Sequence, residues 1–145
     1  MLRSKYNVSS DLEKRTYNGI VFDSVMEMKL YRDVILPQAE SGSITYYELQ
    51  KPYELQPKFQ YEGKNVRAIV YVADFYVEYE DGRKEVIDIK GAADSLAKMK
   101  RKLMWYKYPA LPYRWITYSK KWGGWVDYEF VALKRRESKR TKGQE

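Results

Sequence analysis

Two apolar runs in this chain carry charge where charge is least welcome. Val72-Ala73-Asp74-Phe75-Tyr76-Val77 has a carboxylate at its centre, and Val86-Ile87-Asp88-Ile89-Lys90 has a carboxylate and an ammonium. Apolar neighbours mark both runs as buried strands, and a buried charge needs a partner or a metal ion. Asp88 and Lys90 lie two apart, so a strand presents them on one face. Asp81-Gly82 between the runs is a turn signal. The two strands therefore form a hairpin, and its register decides whether Asp74 joins that face.

A two-residue turn at 81–82 would pair Asp74 with Ile89 and split the charges across the sheet. A three-residue loop, Glu80-Asp81-Gly82 with Gly82 left-handed, pairs Asp74 with Asp88 and Val72 with Lys90. That register sorts Val72, Asp74, Tyr76, Val86, Asp88 and Lys90 to one face. Ala73, Phe75, Ile87 and Ile89 are left as an apolar face. A one-residue slip would lose the sorting, so the three-residue loop is expected. Aspartates facing each other stand about 4.5–5.5 Å apart at Cβ, and their desolvation costs on the order of several kcal/mol. Lys90 offsets part of this. A hard dication, Mg²⁺ or Mn²⁺, offsets more. The alternative is a surface hairpin whose aspartates are solvated or bonded to lysines.

Composition narrows the chemistry. The chain has 145 residues with no cysteine and no histidine. Disulfides, zinc–thiolate sites, thiol nucleophiles, histidine bases and histidine-ligated metals are excluded. Hydrolysis here must run on carboxylates, lysine, hydroxyls and hard metals. The net charge is +7, of which residues 134–145 hold +4, from six basic and two acidic side chains. That balance favours a polyanion. The 15 tyrosines and 4 tryptophans lean toward nucleic acid, although aromatics more often pack. No stretch is apolar enough to span a membrane and no signal-peptide pattern opens the chain. A soluble cytoplasmic protein is the expectation.

The elements that must position these residues follow from local pattern. One domain is expected over 1–133, with 134–145 a basic, disordered tail, and residues 1–18 an irregular arm. Ser24-x-x-Glu27 fits a capping box for a helix over 25–36 that Pro37 stops. Residues 44–49 and 53–59 read as extended, broken by Lys51-Pro52. Glu62-Gly63-Lys64-Asn65 is a hairpin turn, 67–80 a long strand and 84–90 the next, ended by Gly91 to free space near the site. A second helix spans 92–108 with Leu96, Met99, Leu103 and Tyr106 inward. Strands follow at 113–119 and 125–133, with Trp122-Gly-Gly-Trp125 as the loop between them. This order gives an α/β (α+β) fold, a mixed central β-sheet flanked by helices.

A helix glutamate, an aspartate, a hairpin and then Asp-x-Lys resembles the PD-(D/E)XK nuclease superfamily. Asp74 matches its first acidic position, Asp88 and Lys90 its (D/E)-x-K pair, and Ala73 replaces the proline. Glu27, in Phe22-Asp-Ser-x-x-Glu27-x-x-x-Tyr31, matches the helix glutamate of members that cut branched DNA. The wider string is similar to a small phage and prophage endonuclease family described as Holliday-junction-resolvase-like. Gly19–Ser24, Leu55–Phe59, Arg67–Phe75 and Val86–Gly91 carry that likeness. The resemblance implies a restriction-endonuclease-like core and Mg²⁺- or Mn²⁺-dependent hydrolysis of phosphodiesters in branched DNA. Asp74, Asp88, the carbonyl of Ile89 and Glu27 would hold the metal. Lys90 would orient or deprotonate water, or neutralise charge on the phosphate. A homodimer is expected, because symmetric cutting of two strands needs two sites.

Other residues have two readings each. Glu27 could simply cap its helix. Gln56 and Lys58 are candidates for phosphate or water contact, or for packing and surface charge. Lys98, Lys100, Arg101 and Lys102 could touch DNA phosphates as a group, or form a solvated face. Trp122 and Trp125 could stack on bases or at a dimer contact, or pack in the core. Two further functions stay open: a related nuclease acting on nicked, flapped or linear duplex DNA, and a non-catalytic nucleic-acid-binding protein.

Overall fold

A computed structural model describes residues 11–143. Five strands form one sheet in the order β3-β6-β7-β8-β9. These are β3 (Ile44–Gln56), β6 (Ile69–Tyr79), β7 (Lys84–Ile89), β8 (Tyr113–Ser119) and β9 (Gly124–Asp127). Among the described residues only β7 and β8 run parallel, joined through helix α3 (Ser95–Lys107). The sheet is therefore mixed, as the element order requires. A short pair, β1 (Thr16–Tyr17) and β2 (Ile20–Val21), leads into α1 (Val25–Leu30), so part of the expected N-terminal arm is ordered. A separate hairpin, β4 (Phe59–Tyr61) with β5 (Lys64–Val66), stands outside the main sheet.

Two cores follow from this layering. Met28, Leu30, Tyr31 and Ile35 bury against Phe75, Val77, Ile87 and Ile116. On the α3 side, Met104 packs with Val86, Tyr71, Ala73, Tyr53 and Leu55. The β6–β7 hairpin takes the expected register, with Phe75 opposite Ile87 and Glu78 opposite Lys84. Gly82 is left-handed at φ 90°, and the Tyr79 N–H closes the loop onto the Arg83 carbonyl at 2.8 Å. Ala73, however, joins Val86 and Met104 rather than Phe75. The regular β6–β7 ladder stops at Phe75, so alternation does not carry through Asp74.

Four sequence expectations change. Pro37 does not stop the first helix: a π-helical turn at Tyr31–Ile35 leads into α2 (Leu36–Ser41) with Pro37 in its first turn. The wider turn leaves the missing proline N–H without consequence. Lys51-Pro52 does not break β3, because β3 is an edge strand, where proline is tolerated. Residues 128–143 are neither strand nor disordered tail but helix α4 (Tyr128–Gly143), which buries Val131; residues 144–145 lie outside the described residues. Last, α3 is rotated from its apolar stripe. Met104 is buried, while Leu96, Met99 and Tyr106 are 54%, 51% and 85% exposed. Among the described residues no helix is long and apolar enough to cross a membrane.

Candidate active site

Ser24 fixes the start of α1 by accepting the Glu27 N–H at 3.0 Å. The backbone of Glu27 is thus capped as the sequence suggests, but its carboxylate goes elsewhere. It turns inward, only 3% exposed, and accepts a hydrogen bond from Gln50 Nε2 at 2.7 Å. Gln50 sits in left-handed backbone at φ 53°, a region that residues with side chains seldom adopt. The same amide nitrogen lies 3.4 Å from Asp74 Oδ1. Gln50 therefore bridges the helix carboxylate to the strand carboxylate. The sequence reading missed it, since a glutamine in a half-polar edge strand carries no signal of its own.

The two aspartates meet where the hairpin ladder ends. The Asp74 N–H donates to Asp88 Oδ1 at 3.1 Å, and the Ile89 N–H donates to Asp74 Oδ2 at 2.9 Å. Each side chain thus replaces a carbonyl of the opposite strand, so the strands part and the carboxylates fill the gap. Lys90 Nζ lies 2.8 Å from Asp88 Oδ2 and 5.2 Å from the centre of the Trp115 ring. Behind Asp88 runs a buried chain of hydroxyls. Trp115 Nε1–H donates to the Tyr113 hydroxyl at 2.6 Å, which donates to the Tyr71 hydroxyl at 2.8 Å. Burial, the charge of Asp88 and a hydrogen bond to its carboxylate hold Tyr71 far above the usual tyrosine range.

Crowded carboxyls shift one another. Burial, then the charges of Asp88 and Glu27, raise Asp74 to about 9. Burial and the charge of Asp23 raise Glu27 to about 7. Both carboxyls are short of positive charge, even with Lys90 close by. Asp74, Glu27, Ile89 and Lys90 line an open cleft of about 820 Å³, whose rim includes Lys29 and Arg135. Asp88 lies beneath it, 2% exposed.

The donor set suits a hard dication: carboxylate oxygens and a carbonyl, without nitrogen or sulfur. Excess negative charge also favours one. Among the described residues no three acidic side chains form a finished cation cage. The Lys90 ammonium and the Gln50 amide instead occupy their oxygens. The residues fit a metal that would displace these contacts.

Glu27, Asp74, Ile89 and Lys90 thus come together around Asp88, as the sequence suggests. The other candidates do not join them. Gln56 closes β3 six residues beyond Gln50, about 20 Å away at ~3.3 Å per residue, and Lys58 follows it in the exposed segment before β4. Lys98 and Lys102 are exposed on α3. The ammonium of Lys100 donates to the Val70 carbonyl at 3.2 Å. The guanidinium of Arg101 lies 3.9 Å from the centre of the Trp115 ring and pairs with Glu129 at 2.5 Å, so Arg101 joins α3 to α4. Trp125 packs edge-on against Tyr118 at the margin of the α1-side core, as core packing expects, whereas Trp122 rests edge-on against Phe130, 37% exposed and outside both cores. A Cβ on Gly91 would meet nothing within 4 Å, so its lack of a side chain clears no space.

Fold and site together define a mixed α+β domain with an inward-turned acidic cluster and one lysine at the splayed end of a hairpin. Residues 3–124 match the family described as a protein of unknown function, DUF1064, and the chain belongs to that family. No curated protein matches it.

Proposed function

We propose that this protein is a divalent-metal-dependent endodeoxyribonuclease of the PD-(D/E)XK type that hydrolyses phosphodiesters in branched DNA. The observation that carries the proposal is the convergence of Asp74, Asp88 and Lys90, joined by Glu27, at the gap between β6 and β7. Asp74, Asp88 and the Ile89 carbonyl would hold Mg²⁺ or Mn²⁺. When bound, such an ion supplies Lewis acidity to the phosphate and acidifies water. Lys90, already paired as an ammonium with Asp88, donates to a phosphate oxygen as negative charge builds there. Glu27, poised near neutrality, positions the attacking water and accepts its proton. The water oxygen bonds to phosphorus, the bond to the leaving strand breaks, and solvent protonates the departing oxygen. Lys29 and Arg135 at the rim draw the backbone in. Two copies acting as a homodimer would cut both strands.

The test is cleavage of a four-way DNA junction by purified protein with Mg²⁺. Asp88→Ala should abolish cutting and retain binding in Ca²⁺. Equal cutting of plain duplex would remove the preference for branches. Binding without cleavage of any DNA would refute the enzyme.

A further inference from the structure

The β4–β5 hairpin has no place in either core. Among the described residues its strands pair only with each other, and every residue from 57 to 67 except Val66 is exposed. A lone two-stranded ribbon gains little from burial, so its residues are free to serve a partner. Glu62 and Gly63 take left-handed backbone at φ 48° and 76°, which sets a tight turn that matches strand twist. The Gln60 amide donates to Asn65 Oδ1 across the ribbon at 3.1 Å. The ribbon is thus ordered by its own bonds.

Its composition points one way. Phe59 and Tyr61 are two apart on β4 and share a face, 45% and 64% exposed. Lys64 stands opposite Tyr61 on that face, and Val66 opposite Phe59. Lys58 and Arg67 flank the base, so residues 57–67 carry three cations against one anion, Glu62. Two aromatic faces beside a cation, on a projecting basic ribbon, suit a strand that offers phosphates and exposed base planes together. A fully paired duplex hides its base planes, whereas single-stranded DNA and branch points do not.

We infer that the β4–β5 ribbon is an arm that stacks Phe59 and Tyr61 on unpaired bases of a DNA strand. The inference deepens the nuclease reading by naming the DNA feature it grips. The placement sets a length. β3 and β6 carry Gln50 and Asp74 directly to the arm, whose base stands about 20 Å from the carboxylates, or about six base-pair steps.

The experiment is equilibrium binding of fluorescent oligonucleotides by the full chain in Ca²⁺: a single strand, a four-way junction and a blunt duplex. Phe59→Ala with Tyr61→Ala should weaken single-strand and junction binding by about tenfold or more, and change blunt-duplex binding by about twofold at most. The melting temperature should not move, since both side chains lie outside the cores. Lys58→Ala with Lys64→Ala should lower the salt slope on single strands by roughly 0.7 per cation removed. Unchanged single-strand affinity would overturn the inference, and so would an equal loss on blunt duplex. Conversion of a dimer to a monomer at unchanged affinity per site would overturn it as well, and give the arm to a second copy. Mn²⁺ titration of the same variants keeps the two ideas apart. Intact Mn²⁺ binding with no effect on DNA removes the arm alone, and lost DNA binding in a protein that takes up no Mn²⁺ removes the nuclease alone.

Discussion

Asp74→Asn should make the metal-free protein more stable, and the gain should grow with pH. In the fold, burial and the charges of Asp88 and Glu27 lift the Asp74 carboxyl from its ordinary 3.8 to about 9. In the unfolded chain it stays near its ordinary value. Between the two, the native state holds a proton that the unfolded state has lost, so stability falls as pH rises. At about 1.4 kcal/mol per unit, the penalty at pH 7 reaches a ceiling of about 4 kcal/mol. Local relaxation and water entry should reduce it to about 2 kcal/mol. Asparagine keeps an oxygen for the Ile89 N–H and carries no charge to desolvate. Thermal melting in EDTA at pH 8 should place the variant about 4–8 °C above wild type, and the two should coincide at pH 4. Mn²⁺ at about a hundred times its Kd should add about 2.7 kcal/mol to wild type alone, closing or reversing the gap. A variant that melts lower than wild type in EDTA would refute the reasoning. So would a gain that persists undiminished at pH 4.

Lys90→Met should lower junction cleavage by about a hundredfold or more while Mn²⁺ binding stays equal or tightens, because the ammonium no longer occupies Asp88 Oδ2; a loss of Mn²⁺ binding would count against this. Tyr71→Phe removes a donor behind Asp88, and an outer partner of this kind should cost about 10–100-fold in Mn²⁺ affinity, read by calorimetry. Unchanged affinity would reduce the hydroxyl chain to packing. Arg101→Ala should lower stability by about 1–2 kcal/mol through lost stacking on Trp115. Its DNA affinity should fall no further than that of Lys102→Ala, checked by melting and by anisotropy.

The sequence exposed the site because the site breaks a rule. Asp74, Asp88 and Lys90 interrupt apolar strands, and Gly82 fixes the one register that aligns them. Ser24 marks the helix that brings Glu27. What stayed hidden depended on tertiary partners. Pro37 looks terminal until a π turn absorbs it, and Pro52 looks disruptive until β3 proves to be an edge. Gln50 shows no pattern because its role rests on a left-handed backbone and on two carboxylates distant in sequence. The rotation of α3 has the same origin. Apolar periodicity assumes that cations face water, yet Lys100 finds the Val70 carbonyl, and Arg101 finds an indole face and Glu129. Satisfied inside, they leave Leu96, Met99 and Tyr106 outside. Inward charge therefore misleads on a helix and informs on a strand. A long side chain on a helix can reach a partner several ångströms away and keep the local pattern plausible. A short aspartate on a central strand has no such reach, so its presence there already requires a close partner, an ammonium for Asp88 and N–H groups for Asp74.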